Sequence, residues 1–308
     1  MLFNTLMLAF FAGLHKSIPS QISYILHMAI TRYILQIHCP DQKGLIAGTT
    51  QVLAKAGANI IDLQQHTAKD IETFFLRAVF DMESADIQEV YKHLETLAPR
   101  LELNWKLFDT SKTERVAIFV SKTDHCLYDL LLKHRDGDLP CAFSCIVGNH
   151  PDLGPVGGTF GVPFYYVPSN PDKSIPENRF REIIAETRTD TVVLARYMQI
   201  LSEAFTEEFK YRIINIHHGF LPAFKGAKPY HQAWHKGVKI IGATAHFATE
   251  DLDQGPIICQ DIQRVPETAS IDELVELGKD IEKRTLSAAL KLWLEHRVFV
   301  YAGRTFIL

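Results

Sequence analysis

The sequence has no basic excess. Its 32 lysines and arginines against 36 aspartates and glutamates leave a net charge of -4, which gives no electrostatic footprint for nucleic acid or an anionic membrane. No stretch approaches the length of a transmembrane span. Cysteine is scarce and scattered, with five residues at positions 39, 126, 141, 145 and 259. Only Cys141 and Cys145 are close in sequence, and no second pair accompanies them. That spacing argues against a disulfide framework and a zinc site, and for reduced, buried thiols in a cytoplasmic protein. There is no HExxH, and the histidine spacings match no familiar ligand set, so no metal site is expected. What remains is 47% hydrophobic and 22% charged, the balance of a soluble globular chain. Its 308 residues suffice for one large domain or two ordinary ones.

The first 27 residues are apolar around Leu6 to Phe11, but no basic segment precedes that run, so a secretory signal is disfavoured. Met28, followed by Ala29-Ile30-Thr31-Arg32 and a convincing strand, reads as the true start. Residues 1–31 are therefore expected to be an N-terminal extension, untranslated or disordered.

Residues 32–110 read as a small domain. Tyr33 to Ile37 has strand character, and Leu45, Thr49, Val52, Leu53 and Ala56 follow helical spacing up to Gly57 and Asn59. Ile60 to Gln65 and Thr73 to Phe80 form a hairpin across Lys69-Asp70. Ile87, Val90, Tyr91 and Leu94 mark a second helix, and Leu101 to Phe108 a last strand. The order βαββαβ is ferredoxin-like. With Asp41-Gln42-Lys43-Gly44-Leu45-Ile46 at its first strand–helix turn, the segment resembles the ACT domain, a regulatory module that commonly binds amino acids. The resemblance implies a candidate effector turn at Asp41, Gly44 and Leu45, and makes a homo-oligomer plausible. Thr110 to Thr113 is a short polar linker.

Residues 114–308 alternate strands and helices. Arg115 to Val120 is a near-continuous apolar run, the mark of a strand buried on both faces. A helix with Leu127, Leu130 and Leu131 follows, then strands around Ala142 to Val147 and Phe164 to Val167, a helix over Glu177 to Glu186, and a buried strand at Thr191 to Leu194. Ile271 to Glu295 is an amphipathic helix, and Arg297 to Leu308 a closing hairpin turned at Ala302-Gly303-Arg304. This is an α/β domain with a mostly parallel, Rossmann-like sheet, in which ligands bind beyond the strands' C-terminal ends. Asp124 is expected to cap the first helix.

The most informative stretch is Ile213 to Asp261. In a strand alternate side chains share a face, so Asn215 and His217 point the same way at the end of the run Ile213 to Ile216. A second apolar run, Ile240 to Phe247, carries one polar residue, His246, readable equally as a core or a site histidine. An acidic loop follows, Glu250-Asp251-Leu252-Asp253, closed by Gln254-Gly255-Pro256. If that loop folds back, a carboxylate from Asp251 or Asp253 meets the Asn/His pair, a set suited to proton shuttling at an acyl carbon. Among the 14 histidines, His218, His231 and His235 have weaker claims, and one of them is expected near the pocket. Cys259 is set aside as a nucleophile because its run looks buried.

Asn215-Ile216-His217, Leu221-Pro222 and Asp253-Gln254-Gly255-Pro256 together resemble the signature of the folate-dependent formyltransferase superfamily, and residues 211–308 resemble its hydrolytic branch. The resemblance implies Asn215, His217 and Asp253 as catalytic residues, with Asp251 a solvated loop carboxylate. It places Met198, Gln199, Ile200 and Leu201 at a pterin wall, closed by the loop near Glu250. Main-chain groups of Gln199 and Leu201 would bond the ring. Gly219 stands where relatives often carry serine, so this loop lacks that hydroxyl. The turn Ser121 to His125 lacks the glycines with which purine-pathway relatives cradle a phosphate, which disfavours a phosphorylated acceptor. Lys122 and His125 remain candidates to face the site. The basic loop Lys225 to Tyr230 reads equally as a solvated turn or a contact for the folate glutamate tail.

The implied reaction is hydrolysis of 10-formyltetrahydrofolate to formate and tetrahydrofolate, supplying formate and balancing the one-carbon pool for purine biosynthesis. The folate is a substrate, with no tightly bound cofactor. Two alternatives stay open from residues alone: formyl transfer to an amine, and an amino-acid-sensing protein on an inactive scaffold.

Overall fold

The computed structural model describes residues 30–223 and 229–308, with Pro229 described by its backbone alone. Of the extension expected over residues 1–31, residues 1–29 lie outside the described residues, as does the basic loop at Lys225 to Lys228, while Ile30 and Thr31 already belong to the first strand, Ile30–Pro40. The chain divides between Lys112 and Thr113 into two compact units. Among the described residues no helix is long and apolar enough to cross a membrane.

The first unit runs β1 (Ile30–Pro40), α1 (Leu45–Lys55), β2 (Asn59–Ala68), β3 (Thr73–Glu83), α2 (Ile87–Leu101) and β4 (Asn104–Asp109). It is ferredoxin-like, with sheet order β2-β3-β1-β4 and antiparallel pairing throughout. The period of two decides which face is core: Tyr33, Leu35, Ile37 and Cys39 of β1 meet Phe74, Leu76, Ala78, Phe80 and Met82 of β3. Both helices add apolar stripes, Leu45, Val52 and Leu53 from α1, Val90 and Leu94 from α2. Burying side chains such as Leu76 or Phe80 contributes roughly 1.5–3 kcal/mol each. Gly44 precedes α1 at φ +90°, a left-handed conformation that costs glycine little. The last strand starts at Asn104, later than Leu101, because α2 continues through Leu101 and stops only where Glu102 turns left-handed at φ 53°.

The second unit runs β5 (Glu114–Val120), α3 (His125–Arg135), β6 (Cys141–Gly148), α4 (Gly154–Phe160), β7 (Phe164–Tyr166), α5 (Ser174–Glu186), β8 (Thr191–Leu194), α6 (Glu203–Glu208), β9 (Ile213–His217), α7 (Pro229–His235), β10 (Ile240–Phe247), β11 (Ile257–Arg264), α8 (Ile271–Leu294), β12 (Val298–Tyr301) and β13 (Arg304–Ile307). Seven strands form one sheet in the order β11-β10-β9-β8-β5-β6-β7. The five from β7 to β9 are parallel, and β10 and β11 add antiparallel pairs at one edge. The chain leaves β5 toward β6 and β7, then returns to place β8 on β5's other side. That reversal is a topological switch point, and the crevice beyond the C-terminal ends of β5 and β8 is where such sheets bind ligands.

Val116, Ile118 and Val120 point to one side of the sheet, under Leu127, Leu130 and Leu131 of α3 and Ile281, Leu286 and Leu290 of α8. Ala117 and Phe119 point to the other, under Phe180 and Ile183 of α5. Ser270 and Glu273 form a reciprocal capping box at the start of α8. The hairpin β12–β13 turns at Ala302-Gly303, both at positive φ, as a two-residue turn demands.

Two helices went unforeseen. α4 has the composition Gly154-Pro155-Val156-Gly157-Gly158, poor in helix formers, and α6 is a short helix capped by Ser202, whose Oγ accepts from Phe205 N at 3.2 Å. Asp124 does stand at the start of α3, but its side chain makes no capping hydrogen bond.

Candidate active site

β9 carries Asn215 and His217 to the C-terminal edge of the parallel strands, and its two neighbours set their surroundings. In register Asn215 lies beside Leu194 of β8 and opposite His246 of β10. Directly opposed side chains on paired strands touch. The Asn215 Nδ2 amide accordingly donates to His246 Nε2 at 3.1 Å. His246 Nδ1 donates in turn to the Phe247 carbonyl at 2.8 Å, which leaves Nε2 as the acceptor and makes the ring neutral. Burial pushes the His246 pKa down, in the same sense.

The acidic loop brings Asp253 back onto this pair. Its Oδ2 lies 3.2 Å from His217 Nδ1 and its Oδ1 3.8 Å from His246 Nε2. The His217 and Asp253 side chains are only 4% and 8% exposed, so their contact is shielded from water. Asp253 has φ 58°, a left-handed conformation that aspartate tolerates better than most residues. The two residues behind it explain how the loop closes. Phe247 N donates to the Pro256 carbonyl at 3.0 Å, drawing the loop against the end of β10. At Gly255 a Cβ would fall 1.8 Å from the Phe247 carbonyl oxygen, so only glycine permits the approach.

Above the trio lies a cavity of about 300 Å³. Its far wall is the loop after β8, where Met198 and Ile200 turn apolar side chains outward at 57% and 55% exposure. Met198 N donates to Ser121 Oγ at 2.9 Å, tying that wall to the loop after β5. Gln199, Leu201 and Glu250 also line the cavity, so every residue expected at the catalytic centre or the folate wall borders one space. Glu250 sits at the exposed rim, where a hydrogen bond with Glu203 raises its carboxyl above the usual range. Asp251 is exposed. Asp41, Gly44 and Leu45 border a separate hollow in the first unit, about 400 Å³, with Gln42, Gln65 and Thr67.

The Formyl transferase family model matches residues 114–290, and the ACT domain model residues 33–99. The formyltetrahydrofolate deformylase of Mycobacterium tuberculosis (strain ATCC 25618 / H37Rv) is 43% identical over 277 residues, spanning 89% of each chain. The crystal structure of the formyltetrahydrofolate deformylase of Pseudomonas syringae pv. tomato superposes with a TM-score of 0.87 at 36% identity, covering 94% of this chain and 98% of that one. This chain belongs to the formyltetrahydrofolate deformylase family. A glycinamide ribonucleotide transformylase from Symbiobacterium toebii is a more distant structural neighbour, with a TM-score of 0.62 at 28% identity, covering 66% of this chain and 98% of its own.

Behind the trio this deformylase-family chain holds a buried polar network that sequence reading missed. Glu282 of α8 is 1% exposed. Its Oε2 lies 2.8 Å from His125 Nε2 and 3.4 Å from Arg196 Nε, and its Oε1 accepts from Tyr230 Oη at 2.9 Å. Burial alone would raise the Glu282 carboxyl, but the His125 bond and the Arg196 charge bring it below the usual range. His125, Cys126 and Glu282 offer donor atoms within 4.8 Å of one another, close enough for a cation. Both Glu282 oxygens are already engaged within the protein, however, Arg196 adjoins them, and burial pushes the Cys126 thiol well up. The set is built as a hydrogen-bonded network rather than a ligand cage. His125 thus faces Glu282. These partners lie up to 157 residues apart, and no local spacing links them.

Of His218, His231 and His235, His218 lines the cavity, and its ring packs 5.5 Å from His217 and edge-on to Tyr230 at 6.0 Å. Burial, then the nearby Arg196 charge, pushes its pKa down to about 3. The unfolded chain binds this proton from about pH 6.5 downward while the folded chain refuses it until about 3, so stability falls as pH drops through that window. Urea midpoints measured from pH 7 to pH 4 are expected to decline more shallowly in His218→Asn than in the parent. Parallel declines would mean that His218 is not the group responsible.

Proposed function

We propose that this chain hydrolyses the N10-formyl group of 10-formyltetrahydrofolate, releasing formate and tetrahydrofolate. The observation that carries the reading is the convergence of Asn215, His217 and Asp253 at the floor of a cavity with an apolar wall, in a chain whose relatives are named for this reaction. The pterin would lie against Met198 and Ile200, with main-chain groups of Gln199 and Leu201 bonding its polar edge. Asp253 takes a proton from water, directly or through His217. The water oxygen adds to the formyl carbon, and Asn215 with His217 stabilises the oxyanion. The C–N10 bond then breaks with its electron pair going to N10, which takes a proton. The carbon leaves as formate, and the water's second proton passes to solvent. Each step uses side chains of this chain and water alone.

Water is favoured over an amine acceptor by the turn after β5. Where purine-pathway relatives cradle a phosphate, Ser121 to His125 has no glycine, and His125 is committed to Glu282. The hollow at Asp41, Gly44 and Leu45 suits an amino-acid effector, and the first unit a homo-oligomer, in a cytoplasmic enzyme that regulates the one-carbon pool and formate supply for purine synthesis.

The test is formate and tetrahydrofolate release from 10-formyltetrahydrofolate with no amine acceptor present. Stoichiometric formate over many turnovers is the expected result. Folate binding without formate would transfer the assignment to an amine-dependent reaction.

A further inference from the structure

Water activation and oxyanion binding leave one conspicuous group of the cavity unused. Arg196 follows β8 at φ 63°, so its backbone is held in the left-handed region, and the residue lines the cavity with Asn215 and His217. Its side chain is 16% exposed. Its Nε and Nη1 are buried and make no hydrogen bond. Glu282 is its ion partner among the described residues, at 3.4 Å, a distance that adds charge but no directed bond. Glu282 is also held by His125 and Tyr230, one at each of its oxygens. The Tyr230 contact is itself built in. Gly278, one helical turn before Glu282, has no Cβ, and one added there would fall 2.3 Å from the Tyr230 ring. Glu282 therefore fixes the guanidinium in place while leaving its donors largely unspent.

The charge balance of the cavity gives those donors a use. Asp253, Asp251 and Glu250 line it with carboxylates, and Arg196 is the lysine or arginine among its described lining residues. Burial keeps His218 and His246 from supplying a second cation. Hydrolysis converts a neutral formyl amide into an anion beside the buried Asp253. Carboxylates repel at that range, and a planar guanidinium is the side chain that matches two carboxylate oxygens at once.

We propose that Arg196 binds the formate product, receiving the carboxylate that forms as the C–N10 bond breaks, and that Glu282 is the positioning residue that holds it. The ligand class is a small monocarboxylate. The inference rests on the hydrolytic reading above, since only with water as nucleophile does the one-carbon unit leave as an anion.

The test compares product inhibition by sodium formate and by tetrahydrofolate in the full-length wild type, Arg196→Met and Glu282→Gln. Removing a charge-assisted pair should raise the formate inhibition constant by about tenfold or more in Arg196→Met. The tetrahydrofolate constant should stay within about twofold, because no folate contact is assigned to this side chain. Glu282→Gln keeps an acceptor for Tyr230 but removes the charge that holds Arg196 in place, so formate should inhibit more weakly. A formate constant unchanged in Arg196→Met, with tetrahydrofolate inhibition intact, would overturn the proposal. Should Arg196→Met fail to fold, Glu282→Gln decides alone, and unchanged or stronger formate inhibition there counts against it. If the wild type releases no formate, the hydrolytic reading has failed instead. Titration of [13C]formate into wild type and Arg196→Met, followed by NMR line width, then still measures the Arg196 contact directly, and equal broadening would refute it.

Discussion

Asp253→Asn is expected to lower the kcat for formate release by about 100- to 10,000-fold, the usual contribution of a positioned general base. The substitution keeps size and shape almost unchanged. Asparagine also tolerates the left-handed backbone, so the φ of 58° at this position does not confound the result. What changes is chemistry. An amide cannot take a proton from water, and it places no negative charge beside His217 Nδ1, 3.2 Å from which a carboxylate oxygen now lies. Single-turnover measurements with saturating 10-formyltetrahydrofolate isolate the step, and intact folate binding shows that the cavity has survived. A variant within tenfold of the parent would take the base assignment away from Asp253. The exposed Asp251 would not inherit it, since a carboxylate open to solvent gains nothing from Asn215 or His217.

Much of this site was legible in the sequence because its parts are local. Asn215 and His217 share a strand, and i, i+2 spacing fixes their common face without knowledge of the fold. Asp253-Gln254-Gly255-Pro256 was readable as a loop closure, and the Gly255 contact with Phe247 now supplies the physical reason for its glycine. The alternating strands and helices of the second unit gave a parallel sheet, and with it a site beyond the strand ends. His246 was undecidable from its own strand. Its role follows from cross-strand register, which places it opposite Asn215, and register is set by pairing rather than by the pattern of one segment.

The Glu282 network was invisible for a related reason. His125, Arg196, Tyr230 and Glu282 come from the starts of α3 and α7, the loop after β8 and the middle of α8, and each reads locally as an ordinary polar residue. Glu282 even sits among apolar positions of an amphipathic helix, where a carboxylate would ordinarily be costly to bury. Only the packing of α8 against the sheet brings the charge to its partners. Helix α4 escaped notice for the opposite reason: its local sequence argues against a helix, and tertiary contacts override the propensity.

Asn215→Ala should reduce kcat by about 100- to 1000-fold, the typical loss of one oxyanion donor, with KM changed far less. The ground-state geometry explains the asymmetry. The Asn215 amide already has an acceptor, His246 Nε2 at 3.1 Å, so an arriving neutral carbonyl merely competes with an existing bond. An oxyanion is a much stronger acceptor and wins that competition, so the interaction grows as negative charge develops. His246 keeps the amide aimed, because its own Nδ1 is fixed on the Phe247 carbonyl and its ring cannot turn away without losing that bond. A loss confined to KM would mean that Asn215 binds the substrate carbonyl and the transition state equally, and oxyanion stabilisation would then fall to His217.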